Sequence, residues 1–404
     1  LRTVRPSTSE EVNREVVGPE LVLPEGAMLL AADDSAVARS VIELGLKAMG
    51  VPYIMTKTGQ EAWNFLQTTT ENIAVVLTDL EMPEMDGLTA LREIRKTNKY
   101  LPIIMFSSLT HQGAQAAVMA LTAGASDYVG KPATSAGSVD GAFRVLETEL
   151  IPKIIGLAKR VKSRQAREAN SLDAKSLSPI SVPKTNPALE PIKPKPIEAS
   201  PVQSAIPVKP VQAVCIGVST GGPMALMQIF GQISTPLSVP IFIVQHMPPS
   251  FTTLLAARLS AAGVMTVKEA EEGEIAIPGT SYIAPGGFHM TLKQSGTKTI
   301  IHLNTEAPEN SCRPAVDVLF RAAAEVYGGG VLAVMLTGMG YDGLKGCQVI
   351  TAKGGQIIAQ DEATSVVWGM PGAVVQAGLA NAVLPIEKIA DEIVFRSRKI
   401  NSAR

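Results

Sequence analysis

Nine of the chain's 28 prolines fall between Pro179 and Pro210, where an even spread would place about two. Proline fixes φ and lacks a backbone N–H, so neither helix nor sheet runs through such a stretch. Large apolar side chains are also few there. The segment from about Lys162 to Val211 therefore reads as an extended tether. Its lysines (Lys184, Lys193, Lys195, Lys209) keep it solvated, and the same charges would suit contact with a partner. A single core rarely grows past roughly 250–300 residues, so a chain of 404 residues cut by such a tether is expected to hold two domains.

Both flanks alternate short apolar runs with helical patterns, the signature of βαβ units around a parallel sheet. On the first flank the runs are Met28–Ala32, Val75–Asp79, Ile103–Ser107 and Tyr128–Gly130. Helical patterns cover Ser35–Met49, Gly59–Gln67, Gly87–Lys96 and Gly113–Ala123. The expected division is a flexible lead-in over 1–26, a first α/β domain over 27–155, a linker over 156–211, a second α/β domain over 212–395 and a tail over 396–404. With 18% charged residues and a formal net charge of −1, nothing points to nucleic acid or an anionic membrane surface. No uninterrupted apolar stretch of about 18 residues appears, so no insertion into a membrane is expected. No basic segment precedes an apolar run and a small-residue cleavage site at the start, so no secretory leader is expected. Three widely spaced cysteines, Cys215, Cys312 and Cys347, form no CxxC and suggest reduced thiols in the cytoplasm.

Carboxylates and phosphate-binding groups gather at the ends of the first domain's runs. Asp33 and Asp34 close one run and Asp79 closes another. In a doubly wound sheet, the carboxyl ends of the strands open into the ligand crevice. Three carboxylates there would repel one another unless a cation sat among them, and an all-oxygen set suits Mg²⁺. Ser107 offers a hydroxyl and Lys131 a point charge. A single Asp at a strand end is usually a turn or cap residue; five polar groups at the ends of one array ask for a common purpose.

The segments Ala32-Asp-Asp-Ser, Thr78-Asp-Leu-Glu-Met-Pro-Glu-Met-Asp-Gly87 and Tyr128-Val-Gly-Lys-Pro132 resemble a two-component response-regulator receiver domain. The resemblance covers about 27–155 and implies a flavodoxin-like fold. It implies that Asp79 accepts a phosphoryl group from a histidine kinase, and that Asp33 and Asp34, with Asp79, hold Mg²⁺. Lys131 and Ser107 would then contact the phosphoryl group. Tyr128 stands where that family carries a switching aromatic, though a half-buried strand tyrosine explains it equally.

In the second domain, Ala213–Gly217 reads as a buried strand running into Val218-Ser-Thr-Gly-Gly222, with Pro223 opening a helix through Phe230. Gly217-Val-Ser219-Thr-Gly221 satisfies G-x-S-x-G, a turn that lifts a serine hydroxyl above a sheet. Alone, such a turn serves equally as a phosphate cradle or a tight connection. His246 ends the strand Ile241–Gln245, and Asp342 follows the strand Val331–Leu336 and leads the helical pattern Leu344–Thr351. A lone histidine is more often structural, and Asp342 alone would be read as a helix cap. Together, Ser219, His246 and Asp342 supply nucleophile, base and orienting acid. His289 and His302 are poorer candidates for the base.

The segments Gly217-Val-Ser-Thr-Gly-Gly222, Val244-Gln-His-Met-Pro248, Ala284-Pro-Gly-Gly-Phe-His-Met290, Cys312-Arg-Pro-Ala-Val-Asp-Val-Leu-Phe320 and Met335-Leu-Thr-Gly-Met-Gly-Tyr-Asp-Gly343 resemble the catalytic domain of bacterial chemotaxis protein-glutamate methylesterases. That likeness runs from about 212 to 395 and implies a Rossmann-like esterase domain. It implies Ser219 as nucleophile, His246 as base and Asp342 as orienting acid, with no metal in the esterase. The substrates would be methylated glutamates, and in many members certain glutamines, of methyl-accepting chemoreceptors. The backbone N–H groups of the Thr220–Gly222 turn, Thr220 and Gly221 among them, and of Met339 are candidate oxyanion donors. Three features depart from that family: the long tether, Tyr341 beside Asp342, where a smaller or amide residue is expected, and the lead-in before Met28, which has no counterpart in the usual pattern. A docking protein without turnover, or an esterase of a non-chemotactic sensory pathway, are the readings the sequence leaves beside this one.

Overall fold

The computed structural model describes residues 2–4, 23, 25–48, 50–108, 110–131, 146–159, 161 and 209–398. The tether from 162 to 208 and most of the lead-in lie outside these residues. The first domain is a six-stranded sheet of order β1-β3-β2-β4-β5-β6. Its strands are β1 (Arg2–Val4), β2 (Ala27–Ala32), β3 (Tyr53–Thr56), β4 (Asn72–Asp79), β5 (Ile103–Ser107) and β6 (Asp127–Gly130). Strands β2 to β6 run parallel; β1 adds antiparallel to β3, pairing Thr3 with Ile54. The expected lead-in thus supplies an edge strand. Helices α1 (Ala36–Ala48), α2 (Gly59–Thr68), α3 (Gly87–Thr97) and α4 (His111–Ala123) connect the strands. The side chains of Thr58, Asp86 and Thr110 accept the backbone N–H groups of Glu61, Thr89 and Gly113, so three of these helices start where a short polar side chain satisfies an orphan donor. A further helix, α5 (residues 146–159), opens with a π-helical turn at Leu146–Leu150. It continues past the expected boundary at 155 because Leu157 and Ala158 are buried.

The second domain is a seven-stranded parallel sheet of order β15-β14-β13-β7-β8-β10-β9. These strands are β7 (Ala213–Val218), β8 (Ile241–Gln245), β9 (Thr266–Glu269), β10 (Thr280–Ile283), β13 (Val331–Met335), β14 (Gln356–Gln360) and β15 (Ala382–Leu384). Helices α6 (Gly222–Gln232), α7 (Phe251–Ala262), α8 (Val316–Tyr327), α9 (Leu344–Ala352), α10 (Met370–Gln376) and α11 (Ile386–Ser397) cover it. A hairpin, β11 (His289–Ser295) with β12 (Lys298–Asn304), stands apart from the sheet. Its two-residue loop opens with Gly296 at φ +60°, a left-handed conformation that glycine adopts without strain.

Both sheets reverse their winding beside their first parallel strand. In the first, β2 lies between β3 and β4; in the second, β7 lies between β13 and β8. Such switch points leave a crevice at the strands' carboxyl ends. Asp33 and Asp79 follow β2 and close β4, while Ser219, His246 and Asp342 follow β7, β8 and β13. The apolar core is continuous between the domains: Ala114, Ala117, Val118 and Leu121 of α4 share one buried cluster with Leu226, Phe230 and Phe251.

Candidate active site

The turn after β7 is fixed by close approach. Gly221 has φ +78°, and a Cβ there would lie 2.4 Å from Val366. Ser219 N–H donates to Thr337 O at 3.0 Å, and the Thr337 hydroxyl donates to Thr220 O at 2.9 Å. Gln245, the last residue of β8, is 3% exposed. Its amide nitrogen donates to Ser219 O at 3.1 Å and His246 O at 3.2 Å, tying the two strand ends together.

Asp342 is the most heavily engaged group of the site. Its Oδ2 lies 2.8 Å from His246 Nε2 and accepts Val316 N–H at 2.7 Å. Its Oδ1 accepts Asn310 Nδ2 at 2.8 Å and Asp317 N–H at 3.1 Å. Burial alone would raise this carboxyl; the bonds from His246 and the two backbone donors outweigh burial and hold it below the usual carboxylate range. Burial in turn disfavours the protonated form of His246, yet the Asp342 carboxylate and the Cys312 sulfur push it up to about 9. With Nε2 turned to Asp342, the second ring nitrogen, Nδ1, lies 3.6 Å from Cys312 Sγ. Ser219 sits at the neighbouring strand end, where His246 N–H donates to Val218 O, but Ser219 Oγ makes no hydrogen bond among the described residues. The His246–Asp342 half of the expected constellation is therefore closed, and its serine half is adjacent but open.

The other histidines are placed differently. His289 is 1% exposed; its Nδ1 accepts Ala315 N–H and its Nε2 faces Ala307 O, so both nitrogens are used internally. His302 pairs with Glu272 on the hairpin. Arg313 donates to Thr305 O and Glu306 O, bracing the loop before Cys312. Tyr341 is 58% exposed beside Asp342.

In the first domain, oxygens of Asp33, Asp34 and Asp79 lie within 4.8 Å of one another. Lys131 Nζ approaches Asp79 Oδ2 at 2.5 Å and Asp33 Oδ2 at 2.9 Å. A single ammonium against three carboxylates leaves a net negative, all-oxygen donor set, which a hard divalent cation fits. Burial raises the Asp79 carboxyl and Lys131 only partly offsets it. Ser107 Oγ donates to Ser108 O and Gly113 O at 3.3 Å, toward the start of α4. Tyr128 is half-buried and faces the other domain.

That domain contact falls on the serine's own turn. Asp127 Oδ2 accepts the Thr220 hydroxyl at 2.6 Å, and Ser126 O accepts Gly221 N–H at 3.0 Å. The Tyr128 ring stacks on Phe251 with centroids 4.7 Å apart, while Lys153 Nζ lies 5.0 Å from the Tyr128 ring centroid and pairs with Asp127 at 3.0 Å. Helix α5 packs by Leu157 and Ala158 in a cluster with Val367, against which Met339 and Val366 also lie. Asn310, Gln245, Asp127 and Phe251 have no local pattern that marks them in the sequence, and Cys312 is legible there only as a reduced thiol; their partners are mostly distant in the chain or are backbone groups.

Fold and site together define a response regulator whose output is a parallel-sheet α/β domain packed against its receiver. The family models for "Response regulator receiver domain" and "CheB methylesterase" match residues 29–138 and 214–393. A protein-glutamate methylesterase/protein-glutamine glutaminase of Trichodesmium erythraeum is 43% identical over 377 residues, 91% of this chain and 98% of that protein. One of Azospirillum brasilense is 42% identical, over 92% of this chain and 93% of its own length. The crystal structure of the Thermotoga maritima CheB methylesterase catalytic domain is 46% identical, covering 46% of this chain and 98% of that one, at a TM-score of 0.45. The chain belongs to the protein-glutamate methylesterase/protein-glutamine glutaminase family.

Proposed function

We propose that this chain is a phosphorylation-regulated serine esterase of bacterial chemotaxis adaptation, hydrolysing glutamate methyl esters on methyl-accepting chemoreceptors and deamidating particular receptor glutamines. The observation that carries this reading is the Asp342–His246 pair at 2.8 Å beside the Ser219 turn, at the switch point of a parallel sheet. Because Nε2 is committed to Asp342, Nδ1 is the nitrogen that takes the Ser219 proton. Ser219 Oγ attacks the ester carbonyl carbon and the tetrahedral oxyanion forms. The oxyanion needs preorganised N–H donors, each worth roughly 2.7–4 kcal/mol; Thr220, Gly221 and Met339 are the candidates. Collapse breaks the C–O bond, and Nδ1 returns the proton to the departing methanol. Water then attacks the acyl-enzyme with His246 again as base, releasing the carboxylate. For a glutamine, ammonia leaves instead and the route is otherwise the same.

Control follows from the domain contact. Gly221 N–H is bound to Ser126 O, so this donor is engaged by the receiver and not by substrate. Phosphoryl transfer from a histidine kinase to an Asp79 oxygen, with cleavage of the donor's N–P bond, would draw Lys131 to the new charge and loosen the β6 end that carries Ser126, Asp127 and Tyr128. Asp33, Asp34 and Asp79 would hold Mg²⁺, which would supply positive charge to offset that of an incoming phosphoryl group. We place the protein in the cytoplasm, with its kinase and the receptors' cytoplasmic helices; among the described residues no helix is long and apolar enough to cross a membrane. The test is methanol release from methylated receptor membranes, with and without a small phosphoryl donor and Mg²⁺. Release that survives Ser219→Ala, or no release from wild type, would refute the esterase reading.

A further inference from the structure

Cys312 stands in a built position. Asn310 and Ser311, just before it, both take left-handed backbone conformations, φ +51° and +62°, which non-glycine residues adopt at a cost of about 1–3 kcal/mol when the surroundings demand it. The result is that Asn310 Nδ2 bridges Asp342 Oδ1 and Asp317 Oδ2, at 2.8 and 3.0 Å, while Cys312 Sγ is aimed at His246 Nδ1 from 3.6 Å. The sulfur therefore has a base, and that base has an orienting acid on its other nitrogen. Nucleophile, imidazole and carboxylate in this order are the arrangement that activates cysteine in thiol enzymes. Ser219 Oγ, by contrast, has no hydrogen bond here among the described residues. Among the described residues, the thiol is the nucleophile that holds the imidazole.

We propose that Cys312 is a covalent modification site: paired with His246, its sulfur takes up low-molecular-weight disulfides, and the adduct switches the esterase off. The thiol proton passes to His246 Nδ1. The sulfur's electron pair forms a new S–S bond with one sulfur of the disulfide RS–SR; the old S–S bond breaks and its pair leaves with RS⁻. The products are Cys312–S–S–R and one thiol equivalent, and a reducing thiol reverses the exchange. The adduct stands against Nδ1, the nitrogen that Ser219 needs. Chemistry sets this cysteine apart from the other two. Cys215 and Cys347 are fully buried and burial pushes their thiols up, whereas Cys312 is only half-buried. The charged groups facing the pair are Asp342 and, beyond it, Asp317 and the Glu309–Arg321 ion pair.

The loss of esterase activity rests on His246 acting as the base, so the experiment separates the two ideas. The full-length chain is treated with oxidised glutathione, and the adduct is located and timed by peptide mass spectrometry. Methanol release is assayed before treatment, after it, and after a reducing thiol. The adduct should form on Cys312 and not on Cys215 or Cys347, with a rate about tenfold lower in His246→Gln. Treated wild type should lose at least nine-tenths of its activity and regain it on reduction; Cys312→Ala should keep its untreated activity through the same treatment. An equal rate in folded His246→Gln overturns the proposal, and so does full activity in wild type whose Cys312 is fully modified. If untreated enzyme releases no methanol, the esterase reading fails by itself and the adduct rates still decide the pairing.

Discussion

Asp79 and Asp342 are both buried carboxylates at the carboxyl ends of parallel strands, and their environments push them in opposite directions. Asp79 has an ammonium at 2.5 Å and one long backbone bond from Glu81 at 3.4 Å, and its neighbour Asp33 repels it. Burial prevails and its carboxyl is raised. Asp342 accepts four hydrogen bonds, two from backbone N–H groups, and its carboxyl is lowered. The difference is one of spare capacity. An under-satisfied carboxylate keeps lone pairs free to attack a phosphorus; a fully satisfied one is a fixed charge that can only orient its neighbour.

The sharpest way to break this contrast is Asp342→Asn. An amide there removes the anion while keeping the shape, and kcat should fall by about 10³–10⁴-fold. The pH profile should move as well. His246 is raised to about 9 chiefly by Asp342 against the pull of burial, and a base works only when unprotonated, so wild-type activity climbs with pH toward that value. Losing the anion lowers the histidine's value and shifts the residual climb to lower pH, measurable in kcat/KM. Asp79→Asn is the matching change on the other side: stimulation by a small phosphoryl donor should vanish, read as the ratio of methanol release with and without donor.

Tyr128→Ala tests the seam between the two. The stack on Phe251 is worth about 0.5–1.5 kcal/mol, so unphosphorylated activity should rise roughly two- to tenfold and the donor response should shrink. The smallest effect is on stability. Asp79 is raised in the folded chain, so it favours folding below its unfolded value and loses that contribution as pH rises through its folded value. At neutral pH the ionised group opposes folding. Asp79→Asn should raise the receiver's melting temperature by about 2–4 °C at pH 7, and by less near pH 4. Mg²⁺ should raise the wild-type melting temperature, and the Asn variant should respond less.

Much of this was legible because polar residues interrupt apolar runs at strand ends. Asp33, Asp79, Ser219 and His246 each follow or close a run of Val, Ile, Leu or Ala, and the fold needs only the switch points to gather them. Strand β3 was not read: Tyr53–Thr56 is short and follows Pro52, so no alternation marks it. The edge strand Arg2–Val4 was not read either, because what forms it is the exposed edge of β3. Within the sites, what was not legible is the contacts between residues far apart in the chain. Thr220 meets Asp127 across 93 positions, and Cys312 meets His246 across 66. Cys312 shows the limit well: as a residue type it indicated only a reduced thiol, and its aim comes from two left-handed neighbours that no composition reveals.

If Gly221 N–H is the oxyanion donor proposed above, its bond to Ser126 O makes the receiver a tethered competitor for that donor. Competition of this kind is reciprocal. If releasing the receiver strengthens ligand binding in the cleft by some factor, a ligand in the cleft must favour the released receiver by that same factor. A densely methylated receptor array would then do more than supply esters. By occupying the cleft it would bias the receiver toward the arrangement that accepts phosphate, so that the load on the enzyme itself helps to recruit its activation.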